Sequence, residues 1–117
     1  MVGEDMNPGE LNCRINLLKP VKEIDEQGGY EVKYAKITAL WAKITAKTSK
    51  SIDQYEQLVP EILHKIIIRY RSDINIDDRF EYKNRIFEQL GPPINEGERK
   101  AYLILECREV VKGETET

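Results

Sequence analysis

From Leu11 onward, apolar and polar residues alternate. Leu11, Cys13, Ile15 and Leu17 are separated by Asn12, Arg14 and Asn16, the period-two pattern of a strand with one buried face. Pro20 is expected to stop that strand, and Asp25-Glu26-Gln27-Gly28-Gly29 is a turn-rich connection. Tyr30, Val32 and Tyr34 then alternate with Glu31 and Lys33. Between Ile37 and Ala46, Leu40, Ala42 and Ile44 take one face and Trp41 the other, which predicts a strand covered on both sides. Further along, His64, Ile66, Ile68 and Tyr70 share one face, and Lys65, Ile67, Arg69 and Arg71 the opposite one. Ser72-Asp73 opens a turn. Phe80 and Tyr82 lead into a tight hairpin at Lys83-Asn84, because Asn tolerates the left-handed backbone such a turn requires. Arg85 to Leu90 returns, Gly91-Pro92-Pro93 kinks the chain outward, Asn95 to Glu98 is a loop, and Lys100 to Val111 is the last strand.

The segment from Ala46 to Pro60 breaks this pattern. Ser51-Ile52-Asp53-Gln54 fits a capping box, Ile52, Tyr55 and Leu58 follow at helical spacing, and Pro60 ends the run. The expectation is a short helix over 52–59, preceded by a mobile polar stretch, Lys47-Thr48-Ser49-Lys50. The fold class expected is mainly β: a small antiparallel β-barrel of six to seven strands, with one short helix in a long loop. One domain is expected over residues 11–111, with a flexible arm at 1–10 and a disordered tail at 112–117.

Composition agrees with a folded domain. In 117 residues, 40% are apolar and 33% charged, and the net charge is −3. A chain of this size buries about two-thirds of its unfolded surface, enough for a core without disulfides or a structural metal. No apolar run is long enough to span a bilayer, and the acidic start lacks the apolar stretch of a secretory leader. The acidic balance argues against a chain that grips nucleic acid over most of its surface.

Candidate chemistry is sparse. Cys13 and Cys107 are far apart and the chain has one histidine, too poor a set for zinc, so two reduced thiols of a cytosolic protein are expected. His64 sits on an apolar strand face with no nucleophile nearby in sequence, which favours a core or rim histidine over a catalytic base. Asp77-Asp78, beside a turn, read as solvated acids. There is no phosphate-binding glycine loop and no metalloprotease or calcium-loop motif. No enzyme activity and no cofactor are expected. The stripe Lys65, Arg69 and Arg71, with Tyr70, Tyr82 and Phe87, invites a nucleic-acid reading. Tyr70 should point away from Arg69, however, so charge and aromatic do not interleave on one surface.

In order, the segments resemble the bacteriophage head–tail joining (head–tail adaptor, head-closure) family. The residues that carry the likeness are Trp41 within Leu40-Trp41-Ala42-Lys43-Ile44, then His64, Ile66, Ile68, Arg69 and Tyr70, then Tyr82-Lys83-Asn84 with Arg85, Ile86 and Phe87. Members usually read as a His-x-Ile-x-Ile-Arg-Tyr strand followed by a Tyr-x-Gly-Arg-Ile-Phe hairpin. Leu11 to Pro20 looks like the opening strand and Tyr102 to Cys107 like the last, so the likeness covers about residues 10–110. Tyr34 stands where many members have Trp, and Asn84 replaces the usual hairpin Gly. The Gly91-Pro92-Pro93-Ile94-Asn95 loop also differs from the common version.

The resemblance implies a structural virion protein and no catalysis. It implies a homo-oligomeric ring of about twelve subunits beneath the portal and its adaptor, with a tail-completion or tail-tube protein below. Genomic double-stranded DNA would pass through the channel without sequence-specific binding, and no membrane is involved. Assembly would occur in the bacterial cytoplasm. The channel-closing element it implies lies between the Trp41 and His64 strands: here Lys47, Thr48, Ser49, Lys50, Ser51, Ile52, Asp53, Gln54 and Tyr55. Twelve acidic subunits would repel DNA rather than hold it. The alternatives are a neighbouring connector or tail-completion protein of the same virion, and a cellular nucleic-acid-binding module.

Overall fold

The structure, a computed structural model, describes residues 8–52 and 54–110. Its strands are β1 (Cys13–Ile24), β2 (Tyr30–Ile52), β3 (Leu58–Arg69), β4 (Arg79–Tyr82), β5 (Arg85–Gln89), β6 (Ile94–Asn95) and β7 (Tyr102–Glu109). All pairings are antiparallel, in the order β3-β2-β1-β4-β5-β7-β6, and an additional β3–β7 pairing closes six of the strands into a hydrogen-bonded ring. The mainly β expectation holds. β6 lies on the same edge of β7 as β5, because Gly91-Pro92-Pro93 bends the chain between Gln89↔Cys107 and Ile94↔Ile104.

The alternating residues fill the ring. Ile15, Leu17, Ala42, Ile66, Ile68, Phe80, Phe87, Leu103, Leu105 and Cys107 are buried in one cluster, with Leu40, Ile44 and Tyr70 packed against it. A bulge sets Leu17 against Thr38 but Leu18 against Lys36 and leaves Ile37 unpaired. Its extra residue re-aims β2 as the β1–β2 ribbon leaves the core. At the other end of the molecule the β4–β5 turn has Lys83 at φ 52° and Asn84 at φ 66°, the two left-handed residues expected of a tight hairpin.

Four expectations need correction. The first is the helix over 52–59, which is absent. β2 continues to Ile52 and β3 begins at Leu58, paired from Lys47↔Leu63 to Ile52↔Leu58, so the segment is a two-stranded arm with a turn between. Glu56 lies at φ 61°, incompatible with a helix. A helix this short does not nucleate without anchoring to a core, whereas each ladder pair extends a strand already begun. Pro60 pairs with Lys50 inside this arm, where an edge strand tolerates proline. Second, Pro20 does not end β1: the strand reaches Ile24, because beyond Leu18 it pairs with β2 alone.

The third correction concerns Trp41, which is 51% exposed rather than covered, since no element packs on the outer face of β1 and β2 at that position. The fourth concerns Asp78, which is buried while Asp77 is exposed. Lys19 Nζ donates to Asp78 Oδ2, as does the Asn75 backbone N–H at 2.9 Å. The expected arm at 1–10 is described only at its end, a 3-10 turn at Pro8–Glu10. The expected tail at 112–117, residues 1–7 and Asp53 lie outside the described residues.

Candidate functional site

Two long hairpins leave the ring from opposite ends of β2. One comprises the distal parts of β1 and β2 around the Asp25–Gly29 turn. In it the Asp25 carboxylate accepts from the Gln27 and Gly29 backbone N–H groups at 2.9 and 2.8 Å, and Gly28 supplies φ 87°. The other is the β2–β3 arm, which holds the sequence-proposed channel-closing residues. Lys47, Thr48, Ser49, Lys50, Ser51 and Ile52 lie on its β2 side, and Gln54 and Tyr55 fall in the turn region. Lys47 and Thr48 are exposed, as are Gln54 and Tyr55. Among the described side chains of this ladder, His64, opposite Ala46, is the last buried one. Beyond it, six residues of β2 from Lys47 to Ile52 extend roughly 20 Å at about 3.3 Å each. Lys47 Nζ meets Glu106 at 3.7 Å at the root.

That root is fastened by the strand residues singled out from the sequence. His64 is buried, its ring edge-on to Phe87 with centroids 4.8 Å apart. Its Nε2 lies 3.3 Å from an Arg85 guanidinium nitrogen, and Arg85 also donates to Glu109. Because a guanidinium only donates, Nε2 acts as the acceptor and the proton sits on Nδ1. Burial, reinforced by the Arg85 charge and opposed by Glu109, pushes the His64 pKa below its ordinary value. His64, Ile66, Ile68 and Phe87 are thus brought together in the core with Tyr70 beside them. Ile86 is not: it lines an outer groove with Leu18, Tyr34 and Arg79. Arg69 and Trp41 also lie outside, lining a shallow pocket with Leu11 and Asn12.

The remaining polar groups serve the fold. Asp78, Lys19, Asn75 and Gln89 form a knot in which Gln89 Nε2 donates to the Asn75 and Asp78 carbonyls at 2.7 and 3.0 Å. The Arg71 guanidinium holds Asp73 below the usual carboxylate range in an exposed bidentate pair. Cys107 is buried, and desolvation raises its thiol pKa to about 12. Cys13 is half-buried and free. Among the described residues no group of three or more His, Cys, Asp or Glu side chains could hold a metal. Sequence reasoning missed the Asp78 knot and the exposure of Trp41. Only the lysine at position 19, within a stretch otherwise marked for burial, hinted at a distant carboxylate partner.

A family model described as phage head completion protein matches residues 6–110. The chain belongs to the phage head completion protein family. No curated protein matches the chain. Among solved structures, a chain from the virion of a native gene transfer agent particle is similar at 23% identity and TM-score 0.66, over 86% of this chain and 96% of that one. Protein SF1141 from Shigella flexneri 2a is similar at 24% identity and TM-score 0.67, over 92% and 99%. Protein xkdH of the phage-like element PBSX from Bacillus subtilis shares 13% identity at TM-score 0.51, over 82% and 92%. At these identities the three show the fold. Membership in the head completion family places the protein in the virion, in the head–tail connector.

Proposed function

We propose that this head completion protein is the stopper of the connector. Copies form a ring, on the order of twelve subunits, beneath the portal and its adaptor, and the β2–β3 arms converge on the axis. The ring retains packaged DNA and presents the surface to which the tail-completion or tail-tube protein docks. Its role is structural rather than enzymatic.

The observation that carries this reading is the β2–β3 arm. It extends six paired rows past Ala46↔His64, from Lys47↔Leu63 to Ile52↔Leu58. A loop that only linked two strands would need two to five residues. An arm whose strands pair only with each other beyond a buried root can reposition at low free-energy cost. Copies arranged about an axis would bring identical arms together, and the net charge of −3 per copy disfavours lasting contact with the DNA that slides past.

Replacing residues 48–62 with an Asn-Gly turn keeps the Lys47↔Leu63 and Ala46↔His64 register and removes the arm. The shortened protein should fold and enter heads, and those heads should release their DNA. Sealed, infectious heads carrying the shortened protein would make the arm an ordinary hairpin and remove the basis of the stopper assignment.

A further inference from the structure

The outer face of the β1–β2 ribbon carries two unlike patches at its two ends. At the distal tip, Ile24 pairs with Tyr30 and Lys22 with Val32, so Ile24, Tyr30 and Val32 share one face. They are 72%, 71% and 48% exposed. Residues 23–31 contain Glu23, Asp25, Glu26 and Glu31 and no lysine or arginine. Only Lys33, just beyond, meets one of these acids, Glu23, at 3.6 Å. The tip therefore presents Ile24, Tyr30 and Val32, with Lys22 at their inner edge, on one face, and carries acids at its turn (Asp25, Glu26) and on its other face (Glu23, Glu31).

The other patch centres on Trp41. Arg14, directly opposite in the ladder, stacks its guanidinium 4.9 Å from the indole centroid. Arg69 lines the same pocket, and Lys65 lies on the same outer face of β3. Among the described residues none of these three cations has a carboxylate partner. Exposed Trp and Arg are the residue types that dominate binding energies.

We infer that the acidic, apolar β1–β2 tip of one copy docks on the Trp41–Arg14–Arg69 face of a neighbouring copy. Cation and anion complement one another, and both patches carry exposed apolar surface. The tip cannot reach its own Trp41 face, because both lie on one continuous ribbon and are separated by roughly 33 Å of strand between Arg14 and Ile24. The contact joins two different surfaces, so it propagates from copy to copy and closes into a ring where the rotation allows. This inference rests on the ring assembly proposed above and names the surfaces that build it. Three partly exposed side chains, one of them an aromatic that buries about 150–250 Å² when fully covered, fall well below the roughly 800 Å² per partner of a stable interface. Free copies should therefore associate weakly and need a template.

A nucleic-acid occupant is disfavoured because only three unpaired cations surround a single indole, too few to track a phosphate backbone. The test replaces Tyr30 with photoreactive benzoylphenylalanine in the full chain and irradiates the concentrated protein. The expected product is a two-chain adduct joining position 30 to peptides containing Trp41 or Arg69 of a second copy. Arg69→Glu should lower its yield roughly fivefold, and adding Glu26→Arg, at the exposed turn, to that variant should restore it. An adduct mapping elsewhere, no adduct, or a yield indifferent to Arg69→Glu overturns the inference. So does displacement of the adduct by duplex DNA at physiological salt, which would make the Trp41 face a nucleic-acid surface. DNA retention by heads is a separate readout: loss of the adduct with retention still dependent on the arm would refute these surfaces and leave the stopper role standing.

Discussion

Removing Lys19 should damage this protein more than removing the charge of Asp78, though both belong to one ion pair. Asp78 is 1% exposed and Lys19 23% exposed at the side chain. Lys19→Met leaves a carboxylate buried without its cation, with one remaining donor, the Asn75 N–H at 2.9 Å. Breaking a buried pair in this way costs about 3–5 kcal/mol. Asp78→Asn keeps an oxygen that accepts from Asn75, and the Lys19 ammonium it leaves behind still bonds the Asp73 carbonyl and reaches water. That loss should be about 1–2 kcal/mol. With a urea m-value of about 1.5 kcal/mol/M for a chain of this size, the midpoints should fall by roughly 2–3 M for Lys19→Met and about 1 M for Asp78→Asn. Combining both should recover part of the larger loss, because no uncompensated charge remains. Equilibrium urea unfolding followed by Trp41 fluorescence reads all three. If Asp78→Asn were the more damaging single change, the burial asymmetry would not govern the pair and the reasoning would fail.

Three further outcomes are expected. Burial depresses the folded-state pKa of His64, so its contribution to stability is complete above the unfolded value near 6.5 and is lost as pH falls from there through the folded pKa. Unfolding midpoints at pH 7.5 and 5.5 should therefore differ more for the native chain than for His64→Gln, and equal differences would refute this. Iodoacetamide at pH 8 should label Cys13 and spare Cys107, whose thiol pKa is about 12, as peptide mass spectrometry will show; comparable labelling would mean that β7 opens readily. Lys83→Asn with Asn84→Gly places the residues best suited to the left-handed positions at φ 52° and 66° and should raise stability by roughly 0.5–1 kcal/mol, with no gain counting against the turn assignment.

The core strands were legible because each is buried on one face, so Ile15, Leu17, Ile66 and Ile68 leave a period-two trace in the sequence. The hairpin at Lys83-Asn84 was legible because its backbone demand is local. The β2–β3 arm was misread for the complementary reason. Its sequence carries no alternation, and the local capping signal of Ser51 to Gln54 competes against a ladder that only the register of β2 and β3 supplies. Asp78 was misplaced because its partner Lys19 lies 59 residues away, a separation local pattern does not encode. Trp41 was expected to be covered because apolar residues occupy both faces of its strand, but what leaves it open is that no described element packs outside β1 and β2 there. The segment proposed from the sequence to close the channel lies between Trp41 and His64, and its form as a β-arm emerged only from the pairing.

The stopper assignment is tested most directly by imaging filled heads before tail attachment with cryo-electron microscopy. The account predicts a ring of this protein below the portal, with hairpin density from the Lys47↔Leu63 to Ile52↔Leu58 ladder of every subunit meeting on the channel axis and blocking it. A ring whose arms point away from an open channel, or a channel plugged by a different protein, would contradict it.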